Sequence, residues 1–390
     1  MPTNNSNTTT THSSLTEDRN PVKVHLNKGD FFKGIQIVFP AISSRSTLPI
    51  LGNILFEATD KGLRLSATDL EVGIRTWVKA DVIVKGAITI PARIMSDFLR
   101  TLEDDRDISL EVLENNKVEI KSGRDRLNII GLPKSDYPVL PEFEDGKSVA
   151  MPKKMVLEVL KKTHFAASTD ETRYVLNGIH LIIEQGKLVT VATDGRRLAY
   201  IQRPLSENKL SIKCIIPTKA VQEILRLASS DSNSQDSLKA FFTENQASFS
   251  DGDTIILSRL IEGHFPNFEQ VIPKTHEFQL RFDRNTLLSS VTRAAVGTLE
   301  RGGAVKLALS KGVLRIQAAA QGRVEAESEL TVAYEGTDFE IAFNPLYIID
   351  VLKALDQPDV LFELSSPLNP GVIKAADDDA YRYVMMPMKI

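Results

Sequence analysis

The chain has 390 residues, 42% of them hydrophobic and 25% charged, enough for two to four globular domains with real cores. Its formal net charge of −4 excludes a generic polyanion-binding surface, so any nucleic-acid contact has to come from a local basic patch. A single cysteine, Cys214, excludes an internal disulfide framework, and no apolar run approaches a membrane span, so a cytoplasmic protein without membrane contact is expected.

Residues 1–21 are polar, rich in Thr, Ser and Asn and free of aromatic residues, the composition of a disordered leader. At Val24 the run VHLNKGDFFKGIQIVF reads as a short strand, a cap at Asn27 and an amphipathic helix over 28–39. LGNILFEATDKGLRLSATD then alternates apolar and polar residues around Gly62, a hairpin pattern. IPARIMSDFLRTL gives a second helix over 92–102, and YPVLPE a proline-marked exit.

The same order returns from Val149. VAMPKKMVLEVLKKTHF places Pro152 at the helix start and a helix over 152–164, LNGIHLIIEQGKLVTVATD turns at Gly186, IPTKAVQEILRLA is helical over 218–228, and HFPNFEQVIP closes the copy. It returns again from Leu280: LRFDRNTLLSSVTRAAV with Asp283 as cap and a helix over 284–296, AVKLALSKGVLRIQAAA turning at Gly312, FNPLYIIDVLKAL helical over 345–355, and YVMMPM. Leu99, Leu225 and Leu352 fall at one place in the second helices, each followed by a basic residue, Arg100, Arg226 or Lys353. A period of about 125 to 130 residues is one domain per copy. The expected fold is α+β: three similar domains, 22–146, 147–275 and 276–390, each an antiparallel sheet with two helices on one side.

The six helix windows hold 13 Lys and Arg against 5 Asp and Glu, about +8, which leaves the rest of the chain near −12. Lys153, Lys154, Lys161, Lys162, Lys219, Arg226, Arg284 and Arg293 carry most of it. One helical lysine is ordinarily a wet surface; a basic helical face on an acidic body points to polyanion contact confined to one surface. No Arg-rich arm or base-reading helix is present, so that contact is expected at the phosphates, without sequence specificity. Two further stretches complement each other: Arg124-Asp125-Arg126 and Glu325-Ala326-Glu327-Ser328-Glu329 each set like charges on one face of an expected strand.

No catalytic constellation is found: there is no GxxxxGK[ST] loop, GxSxG elbow, HExxH or cysteine pair, and His25, His164, His180 and His264 are scattered. Asp377-Asp378-Asp379 reads as a solvated turn rather than a metal site, so neither metal nor cofactor is expected.

RSTLPILGN at 45–53, ATDLE at 67–71, RYVLNG at 173–178, VATDGRRLA at 191–199 and the terminal VMMPMKI resemble the bacterial DNA polymerase III β subunit, the sliding-clamp family, with similarity over nearly all of residues 22–390. The resemblance implies a non-catalytic DNA-clamp fold that closes as a head-to-tail homodimeric ring around double-stranded DNA, with helices lining the hole. Twelve helices side by side at about 9 Å close a circle about 35 Å across, whereas six close one of about 17 Å, too narrow for a duplex, so two chains are the minimum ring if every helix lines it. The implied partners are a clamp loader complex, the DNA polymerase III α subunit, and other DNA polymerases and repair proteins carrying clamp-binding motifs.

By the same resemblance, Leu176, Thr193, Gly195, Arg197, Leu198, Pro266, Val271, Asn344, Tyr347, Val384, Met386, Pro387 and Met388 line a pocket for partner peptides. Adaptable methionines suit a groove that accepts several motifs with Leu and Phe anchors. Arg196 and Gln270 stand where the family has a histidine and a basic residue, at the rim. Arg45, Arg93, Arg173, Tyr174 and Lys219 match DNA-contacting positions, while Thr169 and Asp170 depart from the family's His and Gln. Arg124 and Arg126 would meet Glu325 and Glu327 across the subunit seam, with Leu127 and Val296 as the apolar contacts, where edge strands of the first and third domains extend the sheet.

Overall fold

The computed structural model describes residues 21–43, 47–205, 210–229, 236–298, 303–320 and 324–389, so the expected leader lies outside the described residues except for Pro21. Six α-helices occur among them: α1 Lys28–Val38, α2 Ala92–Arg100, α3 Lys153–Lys161, α4 Thr218–Ala228, α5 Arg284–Ala295 and α6 Pro345–Ala354. Their starts follow the capping chemistry. Asn27 accepts from the N–H groups of Gly29 and Asp30, and Asp283 from that of Thr286. Pro91, Pro152 and Pro217 precede α2, α3 and α4 with no side-chain bond, their fixed φ aiming the chain into the helix. For α6, Asn344 accepts from the Leu346 N–H and Pro345 is the first helical residue.

The hairpin glycines are all left-handed, with φ of 115° at Gly62, 71° at Gly186 and 76° at Gly312, a conformation that a Cβ disfavours. α1 packs on α2, α3 on α4 and α5 on α6, so each copy buries a helix pair against antiparallel sheet.

Contacts divide the chain into two compact units, Met1–Leu140 and Pro141–Ile390. In the first, Asp81–Val84, Lys23–Asn27, Asp107–Val112, Lys117–Ser122 and Asp125–Ile130 lie side by side in that order, as do Val72–Val78, Gly62–Thr68, Asn53–Thr59 and Gly86–Pro91. Its core is dense: Phe31 of α1 meets Phe56 edge-on at 5.9 Å, and both are fully buried.

The second unit is built around one eight-stranded sheet. Its order is Ile212–Pro217, Gly178–Glu184, Lys187–Thr193, Arg197–Pro204, Tyr381–Met385, Gly371–Ala375, Asp359–Leu364 and Phe278–Asp283. The second copy supplies the first four strands and the third copy the last four. The join is the antiparallel pairing of Arg197–Pro204 with Tyr381–Met385, where Leu198 faces Val384 and Ala199 faces Tyr383.

A partly buried ion cluster bridges the same join. The Arg203 guanidinium donates to Glu158 of α3 at 2.9 Å and to Asp378 at 3.2 Å, and Lys162 donates to both at 2.9 and 3.5 Å. Asp377 and Asp379 are exposed in a turn, but Asp378 points inward to cations of the second copy; burial raises its carboxyl, and Arg203, Lys162 and the Ala380 N–H together outweigh that and hold it below the usual range. Among the described residues no group of His, Cys, Asp and Glu is placed to hold a metal ion, and no helix is long and apolar enough to cross a membrane.

Candidate functional site

The Ala-Thr-Asp of the second copy ends the strand Lys187–Thr193 in a tight turn. Thr193 Oγ1 accepts from the Gly195 N–H at 3.0 Å and donates to the Arg197 carbonyl at 2.6 Å, while Asp194 Oδ1 accepts from the N–H groups of Arg196 and Arg197 at 2.9 and 3.0 Å. Gly195, at φ 85°, provides the left-handed step. The turn aims Arg197 inward. Its Nε lies 3.0 Å from Asp194, its Nη1 2.6 Å from Asp350 of α6 and its Nη2 2.8 Å from the Phe165 carbonyl, with the Tyr347 ring 4.6 Å below the guanidinium. Burial opposes the charge, but Tyr383, Asp350 and Asp194 outweigh it and hold the group above its ordinary pKa.

The join between copies brings the C-terminal segment beside this turn. Met386 N–H donates to the Arg196 carbonyl at 2.9 Å and Met388 N–H to the Ala342 carbonyl at 2.8 Å. Between turn, tail and the crossing segment 264–273 lies a cleft of about 160 Å³. Of the residues expected at a partner pocket, Leu176, Thr193, Gly195, Arg197, Leu198, Pro266, Val271, Val384 and Met386 line it. Leu198 and Val384 form an apolar floor with Val191 and Val372, and Phe265, Phe268 and Ile272 pack against it.

Asn344, Tyr347, Pro387 and Met388 are not in the lining. They adjoin it on the α6 side, where Asn344 caps the helix, Tyr347 lies under Arg197, Met388 is tied to Ala342 and Pro387 follows Met386. Three lining residues were absent from the expected set: Arg196, Asn267 and Phe268. Asn267 and Phe268 lie between the expected Pro266 and Val271, so the aromatic in that proline-bounded run was the available signal.

Of the basic positions, Arg93 and Lys219 are exposed on α2 and α4, Tyr174 is 59% exposed, and Arg45 lies outside the described residues. Arg173 sits on the cleft's own turn, its Nη1 3.3 Å from the Asp194 carbonyl. The helical charge needs correcting. Lys153 pairs with the buried Asp251 at 2.8 Å, Lys162 belongs to the ion cluster, Arg284 donates to the carbonyls of Leu352 and Leu355 at the end of α6, and Lys28 is bound to Asp104. These four cations answer internal acceptors, leaving Lys154, Lys161, Lys219, Arg226 and Arg293 as the exposed members of the expected set that carries most of the charge.

The complementary stretches both lie on sheet edges, Asp125–Ile130 at the end of its sheet and Val324–Thr331 at the end of Val324–Thr331, Val313–Ala320, Val305–Ser310, Phe339–Phe343. Arg124 is in the hairpin turn rather than the strand, because Ser122 pairs with Asp125 and the left-handed Gly123, at φ 61°, and Arg124 make the two-residue connection. Arg126, Glu325 and Glu327 are exposed, as is Val296 just beyond α5 at 71%. Leu127 is half-buried and shares a strand face with the buried Ile129, whereas Ile130, on the Arg126 face, is 62% exposed.

Models of the DNA polymerase III beta subunit match three successive segments: the N-terminal domain over residues 22–141, the central domain over 150–267 and the C-terminal domain over 269–389. The chain belongs to the DNA polymerase III β-subunit family. The beta sliding clamps of Caulobacter vibrioides and Escherichia coli K12 are each 33% identical to it, over 375 and 370 residues, covering 95% of this chain and 100% of each relative. Solved clamps superpose along the same length: that of C. crescentus at a TM-score of 0.90 and 32% identity, and that of Pseudomonas aeruginosa bound to griselimycin at 0.88 and 31%, each covering 95% of this chain and 100% of its own. In this β-subunit family member the cleft straddles two matched domains, with its lining residues up to Asn267 in the central one and Val271, Val384 and Met386 in the C-terminal one.

Proposed function

We propose that this chain is a sliding clamp: two copies close head-to-tail around duplex DNA without reading its sequence, and polymerases and repair proteins are held to it by short segments seated in the cleft. The observation that carries the reading is the strand pairing of Arg197–Pro204 with Tyr381–Met385, which builds an apolar cleft from two copies of one repeated domain in a chain of this family. The function is tethering for processivity rather than catalysis. Loading falls to a separate ATP-driven clamp loader, the DNA polymerase III α subunit is among the partners, and the compartment is the cytoplasm.

The three domains divide at 146/147 and 275/276. Arg93, Arg173, Tyr174 and Lys219, with Arg45, face DNA; Arg124, Arg126 and Leu127 of one copy meet Val296, Glu325 and Glu327 of the next. A ring held by topology slides with few phosphate contacts, which reconciles duplex DNA with a net charge of −4.

The test is to load the protein with its cognate loader and ATP onto nicked circular DNA, then linearise the circle. Release on cutting is expected; retention on DNA with free ends would replace the ring by direct binding. Arg124→Glu combined with Arg126→Glu is expected to yield monomers in sedimentation, and persistent dimers would remove this seam.

A further inference from the structure

Sulfur is unevenly sheltered in this chain, which has seven methionines and one cysteine. Met95, Met151 and Met385 are buried, Met155 and Met388 are half-buried, and Met1 lies outside the described residues. Cys214 is sheltered by its chemistry: burial pushes its thiol up to about 12, so at neutral pH almost none is present as the thiolate that oxidants attack. Among the described residues the one exposed methionine is Met386, at 44%, and it lines the cleft.

The local chain puts it there. Pro387 has no N–H with which to continue the ladder, so the strand Tyr381–Met385 stops just before Met386. Val384 and Met386 share a face and both line the cleft, whereas Met385 between them turns into the core. The Met386 N–H donates to the Arg196 carbonyl at 2.9 Å, which holds the residue at the lining while it stays open to solvent.

We propose that Met386 is a reversible oxidation site, at which a hydroperoxide converts the thioether to the sulfoxide and so lowers the affinity of the cleft for peptides. The inference rests on the cleft receiving peptides. A sulfur lone pair attacks the terminal oxygen of the peroxide; the S–O bond forms and the O–O bond breaks. The proton of the attacked hydroxyl passes to the departing oxygen, which leaves as water when the oxidant is hydrogen peroxide. Sulfur loses two electrons and the peroxide gains them. The product is polar beside Leu198, Phe268, Val271 and Val384, and an apolar anchor seated against it strands the sulfoxide oxygen without a hydrogen bond, weakening binding by about tenfold. A dithiol-dependent sulfoxide reductase restores the thioether, the oxygen leaving as water and the dithiol becoming a disulfide.

The experiment treats the full chain with limiting hydrogen peroxide, locates the added oxygen by peptide-mapping mass spectrometry, and reads binding of a fluorescent peptide with Leu and Phe anchors by anisotropy. Met386 should gain its oxygen before the other methionines, and more slowly when unlabelled peptide is in excess. Affinity should fall about tenfold and return with the two epimer-specific methionine sulfoxide reductases and a dithiol, at an unchanged melting temperature. Met386→Leu, compared with its own untreated affinity, should lose none of it on treatment. Full oxidation of Met386 with unchanged affinity, earlier oxidation of another methionine, or an equal loss in Met386→Leu overturns the switch and leaves the cleft as a peptide site. Failure of the untreated protein to bind any such peptide overturns both readings.

Discussion

The first and second copies fold Ala-Thr-Asp into one turn and put it to different use. In the first, Thr68 Oγ1 accepts from the Leu70 N–H and donates to the Val72 carbonyl, both at 3.0 Å, and Asp69 Oδ1 accepts from Glu71 and Val72 at 3.0 and 2.8 Å. That is the pattern of Thr193 and Asp194, bond for bond. The difference lies in what the turn carries: Leu70 at φ 79° where the second copy has Gly195, and Val72 where it has Arg197. Behind the turn, Tyr137 fills the space against Ile50, Leu51 and Leu55, whereas Phe265 at the matching place stacks on His180 at 4.9 Å and leaves room for a cleft. A repeated phrase thus reports shared architecture, and the function enters through its substitutions.

Moving residues between the copies tests this. Arg197→Val, which imports the first copy's residue, should have the largest effect. It strands Asp350 and the Oδ2 of Asp194, so stability is expected to fall by about 3 kcal/mol and peptide binding by tenfold or more, read by thermal melting and anisotropy. Unchanged binding would separate Arg197 from the site. Next come the turn residues: Gly195→Ala should cost about 1 kcal/mol for a left-handed Cβ, while Leu70→Gly should stabilise by less than about 1 kcal/mol, as released strain is offset by unfolded-chain entropy. Equal signs for the two changes would contradict the shared geometry.

The smallest expected effect is in pH. Burial holds His180 below its ordinary value of 6.5, against a raising hydrogen bond to the Cys214 carbonyl and with a further push from Lys213. Its contribution is therefore present above the unfolded value and lost as pH falls through the folded one. His180→Leu, the residue type at the first copy's Leu55, should flatten that acid limb in urea titrations across the range; parallel profiles for the two proteins would assign the loss to other groups.

Elements with local causes were legible. Asn27, Asp283 and the prolines announced helix starts, and Gly62, Gly186 and Gly312 announced the hairpins, because each conformation is set within a few residues. Most of the cleft was legible too, since its lining residues sit in compact runs that resemble a family. The fate of individual charges was not. Lys153, Lys162 and Arg284 read as wet helical cations, yet Asp251, Asp378 and the α6 carbonyls that claim them are 68 to 216 residues away. A charge sum counts ions without their partners, and only the fold supplies those.

The continuous sheet of the second unit also limits how this chain could be rebuilt from parts. Because the cleft floor takes Leu198 from one copy and Val384 from the next, a chimera that exchanges either copy alone must mate two unrelated strand edges and the Arg203 cluster at once. The two copies are a single heritable cassette, and drift in one is constrained by the other even at positions no partner touches.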